Sequence, residues 1–197
     1  MFANRFTAFV DACVLAGALK RNVLCSLAEA EFFRIRWSER VLDETRGAIS
    51  TMLSGRGVAD AAERAERACA GLREAFEDAT VCGWEAFECV CPADLPDAKD
   101  AHVVAAAAKT RADVIVTDNL RHFPAEALVR LGMEARSADA FVADTIALDV
   151  GRAVAAIRRM RERFRKPELD AEGLLTRFEA GGLLATADLL RPHRASL

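Results

Sequence analysis

Short apolar strand patterns alternate with helical patterns over residues 1–137, and this alternation limits the fold more than any other feature of the chain. The strongest strand pattern is "DVIVT" at residues 113–117, where residues of high β-propensity run together. A helical pattern, "AKDAHVVAAAAKTR", comes directly before it. Near the start of the chain, "RFTAFVDACVL" predicts a short buried strand that ends near Asp11, and "LKRNVLCSLAEAEFF" then follows with helical spacing. Such alternation predicts an α/β fold, in which helices cover a mostly parallel sheet.

Further elements lie between and after these strands. Ser38 is the predicted N-cap of a helix whose apolar positions form one stripe from Val41 to Met52. The segment "VADAAERAERACAGLREAFED" predicts another helix, and "ATVCGWEAFECVC" predicts a strand or an extended segment. A short helix and a last strand around "MEARS" complete the alternation.

The remaining residues, 139–197, show only helical spacing. We therefore predict an α/β domain over residues 1–138 and an all-α extension over residues 139–197. One helix of the extension carries a basic stripe, which could neutralise RNA phosphates or could be an ordinary solvated face opposite the apolar positions. The arginines proposed for RNA binding are Arg158, Arg159, Arg161 and Arg165.

The composition is that of a soluble globular protein without a membrane segment. Of the 197 residues, 52% are hydrophobic and 29% charged, and the net charge is -3. No apolar stretch approaches the roughly 20 residues that span a bilayer, and the first residues lack the pattern of a secretory leader. Six cysteines without a CxxC pair predict buried thiols in a reducing compartment rather than disulfides or a zinc site. We therefore expect a cytoplasmic location.

Acidic side chains fall where ligands bind in α/β proteins. Asp11 and Asp118 follow predicted strands directly, and the carboxyl ends of parallel strands meet at one edge of a sheet. Asp100 lies in the first turn of the helix before the second strand, facing inward. On the helix after Ser38, Glu44 lies closer to the apolar stripe than Asp43, which points away.

Several carboxylates can stay ionised together in a partly buried site only if cations lie among them. Mg²⁺ or Mn²⁺ fits such a set of oxygen ligands, with one ion or two. Each acid also has a simpler interpretation, as a helix cap, a solvated flank residue, a partner of the helix dipole or a turn residue. The placement of all four relative to the strands favours the joint site.

The histidines and tryptophans carry weaker signals. His102 is expected on the outward, exposed side of its helix. His122 lies near the proposed acids, where it could contact substrate or transfer a proton, or could simply be a turn residue. Trp37 and Trp84 are expected in the core rather than stacked on bases.

Taken together, "FVDACVL", "WSERVLDETR" and "LPDAKDAHVVAAAAKTRADVIVTDNLRHFP" resemble the PIN-domain ribonuclease family, and specifically the VapC-like toxins of bacterial toxin–antitoxin pairs. The resemblance covers about residues 6–138 and implies a PIN-like, Rossmann-like sheet. Residues 139–197 resemble the C-terminal helical extension of some longer VapC-like relatives.

The resemblance implies a Mg²⁺- or Mn²⁺-dependent endoribonuclease that acts on structured RNA, often transfer or ribosomal RNA. Asp11, Glu44 and Asp100 match the acidic metal ligands of the family, and Thr117 matches a residue that supports the metal or the phosphate. The fourth acidic position falls on Asp118, with Asn119 as a polar alternative.

Implied partners are RNA and a cognate VapB-like antitoxin, in a homodimer or a toxin–antitoxin hetero-oligomer. An acidic segment of the antitoxin is a further candidate to bind the basic stripe.

Two other classes of function stay open. A PIN-fold module could bind RNA or protein without turnover. A phosphatase could use an aspartate nucleophile after the first strand, but such enzymes commonly carry a second aspartate two residues later, where this chain has Cys13. The expected activity is therefore metal-dependent hydrolysis of RNA.

Overall fold

A computed structural model describes residues 6–92, 95–165 and 168–197. The described residues divide into two compact units, which we call the sheet unit and the helical unit. The sheet unit contains residues 6–17 and 34–136, and the helical unit contains residues 18–33 and 137–197. The proposed division into domains at residue 138 stays a prediction.

The strands and helices have the following bounds. The strands are β1 (Thr7–Val10), β2 (Arg34–Arg36), β3 (Val114–Val116) and β4 (Glu134–Arg136). The helices are α1 (Ala12–Leu15), α2 (Ala18–Glu29), α3 (Glu39–Ser54), α4 (Ala61–Ala75), α5 (Ala101–Thr110), α6 (Ala125–Leu128), α7 (Ala138–Leu148), α8 (Val150–Glu162), α9 (Ala171–Ala180) and α10 (Leu184–Leu190).

The four strands form one parallel sheet in the order β2-β1-β3-β4. The two central strands are buried along their whole length, because each is a run of apolar or β-branched residues that helices cover. In the register, Val10 lies opposite Val116, so β1 and β3 end together at the same edge of the sheet. The predicted α/β class, with a parallel sheet, flanking helices and a helical C-terminal region, is confirmed.

Helix α3 begins where the sequence predicts. The Ser38 hydroxyl accepts a hydrogen bond from the Val41 amide at 3.2 Å and caps α3, as predicted. The apolar stripe of α3 is buried through Ile49, whereas Met52 is 42% exposed near the end of the helix. The stripe packs α3 against the neighbouring helices and so fixes which side chains of α3 face outward.

One strand of the sheet unit was not predicted, and one predicted segment takes a different structure over most of its length. The strand β2 was not expected, because three residues with an arginine at each end show no alternating pattern. The segment "ATVCGWEAFECVC", expected to be a strand or extended, contributes one parallel bridge between Trp37 and Thr80. It then forms a 3-10 helix over Trp84–Val90, since Gly83 turns the chain with a left-handed φ of 62°.

In the helical unit, α2 packs against α7 and α8 through the buried Val23, Leu24 and Leu27. The Asp139 carboxylate on α7 caps α10, because it accepts hydrogen bonds from the amides of Ala185 and Thr186, both at 2.9 Å. The Thr186 hydroxyl donates to the same carboxylate at 2.8 Å, and Thr186 is fully buried. We call this arrangement the Asp139 cap.

The sequence predicts buried cysteines and buried tryptophans. All six cysteines are free thiols, as expected, but Cys82 and Cys89 are exposed rather than buried. Trp37 and Trp84 are both buried, which confirms their placement in the core.

Among the described residues, no helix is long and apolar enough to cross a membrane.

Candidate active site

The candidate site lies where β1 and β3 end. Asp11 follows β1, Thr117 follows β3, and the Asp11 amide donates to the carbonyl of Val116 at 3.0 Å. This backbone bond continues the parallel pairing by one residue and brings the two side chains to the same edge of the sheet. The predicted placement of Asp11 at a strand end is thereby confirmed.

Asp11 is only 7% exposed, and three donors surround its carboxylate. Oδ1 accepts from the Ala12 amide at 2.7 Å, which makes Asp11 the N-cap of α1. Oδ2 accepts from the Thr117 hydroxyl at 2.7 Å and from the Cys13 thiol at 3.1 Å. These bonds give a buried carboxylate hydrogen-bond partners and fix its orientation.

Thr117 and Cys13 bind the same oxygen of Asp11, and their Oγ1 and Sγ atoms lie 3.4 Å apart. Thr117 is fully buried, and its hydroxyl accepts from the Asn119 amide at 3.1 Å while it donates to Asp11. Burial, together with the negative charge of Asp11, raises the pKa of the Cys13 thiol to about 12. Cys13 is therefore a protonated donor to Asp11 and not a nucleophile.

Asp100 lies at the junction between a 3-10 turn, Ala98–Asp100, and α5. Its Oδ2 lies 2.7 Å from Nδ1 of His122. The Nε2 atom of the same ring accepts from Arg121 at 3.2 Å, which places the ring proton on Nδ1, where it is donated to Asp100. Burial raises the pKa of Asp100, the His122 hydrogen bond lowers it and the charge of Asp11 raises it further, with a net value above the ordinary one.

Asp97 caps the same 3-10 turn by accepting from the Lys99 amide at 2.9 Å. Asp97 also lies close to two other polar residues of the site, which the sequence did not indicate. One ligand atom each from Asp97, Asp100 and His122 lie within 4.8 Å of one another. Their separation along the chain gives no metal-binding motif, because the loop after β3 brings His122 to the start of α5.

Glu44 lies on α3 with a side chain that is 42% exposed. Its Oε1 lies 3.1 Å from Nε2 of His102 and 3.4 Å from Nε of Arg40. Burial raises the pKa of Glu44, but hydrogen bonds and charge from His102 and Arg40 outweigh this and leave the pKa below its ordinary value. The neighbouring Asp43 faces solvent and pairs with Arg46 at 2.8 Å, as expected.

The expected exposure of His102 is wrong, because this side chain is buried, with 3% exposure. His102 contacts one proposed acid, Glu44, and follows another, Asp100, by two positions along the chain. The lone histidine in the apolar pattern "AHVVAAAA" gave no hint of this contact.

Asp118 and Asn119 are both exposed directly after β3. Their amides donate inward, that of Asp118 to the Cys13 sulfur at 3.4 Å and that of Asn119 to the Thr117 hydroxyl at 3.1 Å. The turn is thus tied to the two residues that support Asp11. The assignment of either side chain as the fourth ligand stays a prediction.

The proposed RNA-binding arginines lie in the helical unit and differ in their contacts. Arg158 pairs with Glu162 at 2.9 Å, and Arg159 is exposed. Arg161 donates to the backbone carbonyls of Leu197 at 2.8 Å and Leu169 at 2.6 Å, so its guanidinium holds this unit together. Arg165 is exposed and forms a single antiparallel bridge with Glu168. A role for these four in RNA binding stays a prediction.

The donor atoms of the site suit a hard divalent cation. Asp11 and Asp100 act on each other electrostatically, since the charge of Asp11 raises the pKa of Asp100. Two carboxylates in this relation repel each other unless a cation lies near them. Their oxygens are the ligands that Mg²⁺ and Mn²⁺ prefer, whereas the Cys13 sulfur beside Asp11 is protonated. The residues therefore fit the metal that the family resemblance implies.

Comparison with known proteins agrees with this geometry. Residues 7–121, more than half of the chain, match the family model of the PIN domain. The chain belongs to the PIN domain family. All four proposed acids of this PIN domain, from Asp11 to Asp118, fall within the match. A second family model, the VapC50 C-terminal domain, matches residues 138–192.

One relative of this PIN domain protein comes from Mycobacterium tuberculosis (strain ATCC 25618 / H37Rv) and is named "Putative ribonuclease VapC50". It is 40% identical over 77 residues, which make up 39% of this chain and 46% of the relative. The chain thus matches less than half of the length of this curated relative. No solved structure matches the chain.

Proposed function

We propose that this PIN domain protein is a metal-dependent endoribonuclease of the VapC-like toxin type, which hydrolyses phosphodiester bonds of RNA. The observation that carries the proposal is the buried Asp11 carboxylate at the edge of a parallel sheet, electrostatically coupled to Asp100. The PIN family match and the name of the mycobacterial relative support ribonuclease activity.

In this proposal Asp11, Asp100 and Glu44 hold Mg²⁺ or Mn²⁺, and Asp118 or Asn119 completes the ligand set. When bound, such an ion lowers the pKa of a water molecule and neutralises charge that develops on a phosphate oxygen. Thr117 keeps one oxygen of Asp11 fixed by donating to it at 2.7 Å. His122 does the same for Asp100 at 2.7 Å. The carboxylates therefore do not need to reorganise when the cation and the substrate arrive.

Attack by water requires no covalent intermediate on the protein. The Cys13 thiol contacts Asp11, and its pKa of about 12 keeps it protonated. The ring proton of His122 lies on the nitrogen that faces Asp100, so this ring orients the acid rather than accepting a proton through that atom.

The likeness of the C-terminal region to the VapC50 C-terminal domain supports a cognate VapB-like antitoxin as partner. Transfer or ribosomal RNA is the proposed substrate class, and the cytoplasm the proposed location. The assembly would be a homodimer or a toxin–antitoxin hetero-oligomer.

The test is cleavage of total RNA by the purified full chain with Mg²⁺ or Mn²⁺, beside Asp11→Asn and Asp43→Asn. Loss of a metal ligand should lower the cleavage rate at least about 100-fold, the upper end of what loss of a supporting group costs a metal site. Asp43→Asn is the matched control, since this acid faces solvent one position before Glu44. Equal cleavage by the wild type and Asp11→Asn would refute the site. Metal-independent RNA binding without cleavage would favour the binding module.

A further inference from the structure

His102 is a buried polar side chain, and only one of its two ring nitrogens has a hydrogen-bond partner among the described residues. The residue is 3% exposed, and its Nε2 lies 3.1 Å from Oε1 of Glu44. The other nitrogen, Nδ1, is buried and has no hydrogen-bond partner among the described residues. Burying a polar ring with one nitrogen unpaired is costly, which calls for a reason beyond packing.

The geometry defines what the ring does. A carboxylate oxygen accepts hydrogen bonds and cannot donate when ionised, so the Nε2 that faces Glu44 must carry a proton and donate it. A neutral ring then leaves Nδ1 without a hydrogen, as an acceptor. The hydrogen bond is therefore donated by His102 on α5 and accepted by Glu44 on α3.

The surroundings keep the ring from moving. The indole of Trp84 lies against it, with ring centroids 5.9 Å apart and planes inclined by 54°. Trp84 begins the 3-10 helix after Gly83, and the Lys109 ammonium on α5 donates to the carbonyl of Gly83 at 2.9 Å and to that of Cys82. The helix that carries His102 thus also fixes the segment that covers it.

Glu44 lacks such restraint without this contact. Its side chain is 42% exposed, and its other described side-chain contact is with Arg40, which is 47% exposed and 3.4 Å away. An exposed pair of this length orders a carboxylate weakly, because both side chains keep their rotational freedom. A single buried donor on a neighbouring helix restricts Glu44 much more.

We propose that His102 is a positioning residue, which holds the Glu44 carboxylate where it can bind the divalent cation. The proposal rests on the proposed function, in which Glu44 is a metal ligand. Outer residues that orient a ligand by a hydrogen bond typically contribute 10- to 100-fold to metal affinity. His102 would contribute this through Glu44 alone.

The test measures Mn²⁺ affinity of the full chain by calorimetry, without RNA. His102→Leu should weaken Mn²⁺ binding about 10-fold or more, because it removes the donor. His102→Gln can place an amide N–H near the position of Nε2 and should restore binding to within about threefold. His102→Asn places its amide nearer to Nδ1 and should bind as weakly as the leucine variant.

A double-mutant cycle separates positioning from a general loss of structure. In a Glu44→Gln background, His102→Leu should lower the Mn²⁺ affinity by less than about twofold, since the residue it acts through is no longer a charged ligand. Asp43→Asn is the control and should bind Mn²⁺ like the wild type. The same loss in both backgrounds would overturn the proposal. If the leucine variant does not fold, equal binding by the glutamine and asparagine variants would overturn it as well.

The outcomes also separate this inference from the proposed function. If Glu44→Gln weakens Mn²⁺ binding and His102→Leu does not, the inference fails and the metal site stands. If Glu44→Gln leaves binding unchanged, Glu44 is not a ligand and the inference fails with that assignment. Cleavage by Asp11→Asn tests the nuclease independently of both results.

Discussion

Replacing Thr117 with valine tests the support of Asp11 directly. Valine keeps the branched shape of threonine and replaces the hydroxyl with a methyl group, so packing changes little while the hydrogen bonds are lost. The hydroxyl is fully buried, donates to the Asp11 carboxylate at 2.7 Å and accepts from the Asn119 amide at 3.1 Å. A fully buried site gives water little access to replace either bond.

The magnitude follows from the kind of bond. A hydrogen bond to a charged group contributes about 1.5–3 kcal/mol, and the orphaned amide adds to the loss. We therefore expect Thr117→Val to lower the free energy of unfolding by about 2–3 kcal/mol. Thr117→Ser keeps the hydroxyl and removes one buried methyl group, which costs about 1 kcal/mol. Mn²⁺ affinity should fall about 10-fold in the valine variant, because Asp11 loses a residue that orients it.

Urea denaturation followed by tryptophan fluorescence is the suitable assay. The two tryptophans of the chain, Trp37 and Trp84, both lie in the sheet unit, so the signal reports the unit that contains Thr117. In an Asp11→Asn background the valine substitution should cost about half as much, since the bond it removes is then between neutral groups. Equal destabilisation by valine and serine, or the same cost of valine in both backgrounds, would refute the reasoning.

Three further predictions concern the helical unit, the thiols and the pH dependence of the candidate site. Asp139→Ala removes the Asp139 cap and should lower the free energy of unfolding by about 2 kcal/mol in calorimetry, whereas the exposed Asp188→Ala should stay within about 0.5 kcal/mol. Alkylation at pH 8, followed by mass spectrometry, should modify the exposed Cys89 far faster than Cys13. The reason is that a thiol with a pKa of about 12 has a thiolate fraction of only about 10⁻⁴ at that pH. Equal rates would contradict the raised pKa of Cys13. The pKa of Asp100 is raised, so protons should compete with Mn²⁺ for this carboxylate at a higher pH than for an ordinary aspartate. The Mn²⁺ affinity, measured by calorimetry, should therefore fall as the pH is lowered through the raised pKa. Asp100→Asn should make the Mn²⁺ affinity less dependent on pH.

The sequence predicted the part of the site that depends on strand ends. β1 and β3 are runs of apolar or β-branched residues, and a polar residue after such a run is expected at the edge of the sheet. This predicted Asp11 at the edge where β1 and β3 end. Thr117, which only the family resemblance marked as a supporting residue, binds Asp11 there although the two lie 106 positions apart. The N-cap at Ser38 and the apolar stripe of α3 were equally readable, since both depend on local spacing.

His102 was misplaced because α5 has no exposed side at this level. The six consecutive residues from His102 to Ala107 are all buried. The side of α5 that was expected to face solvent is covered by the 3-10 helix Trp84–Val90, whose first residue lies against the His102 ring. The sequence pattern predicted a strand or an extended segment there and so did not indicate this cover.

The sequence placed His122 near the proposed acids, but it could not predict the hydrogen bond from His122 to Asp100. It depends on the path of the turn after β3, where the amides of two successive residues bind Thr117 and Cys13. Such side-chain contacts between distant segments leave no period in the sequence. The strand β2 was missed because three residues are too few to establish an alternation.

The outer strands of the sheet, Arg34–Arg36 and Glu134–Arg136, are only three residues long, and each has charged residues on both sides of a single apolar one. Past the end of β2, the Trp37–Thr80 bridge occupies backbone groups that would otherwise continue the edge. Short, charged margins are poor templates for a strand from another molecule. Concentrated solutions of this protein should therefore resist growing intermolecular β-structure, even though its two central strands are apolar enough to form fibrils if they were uncovered.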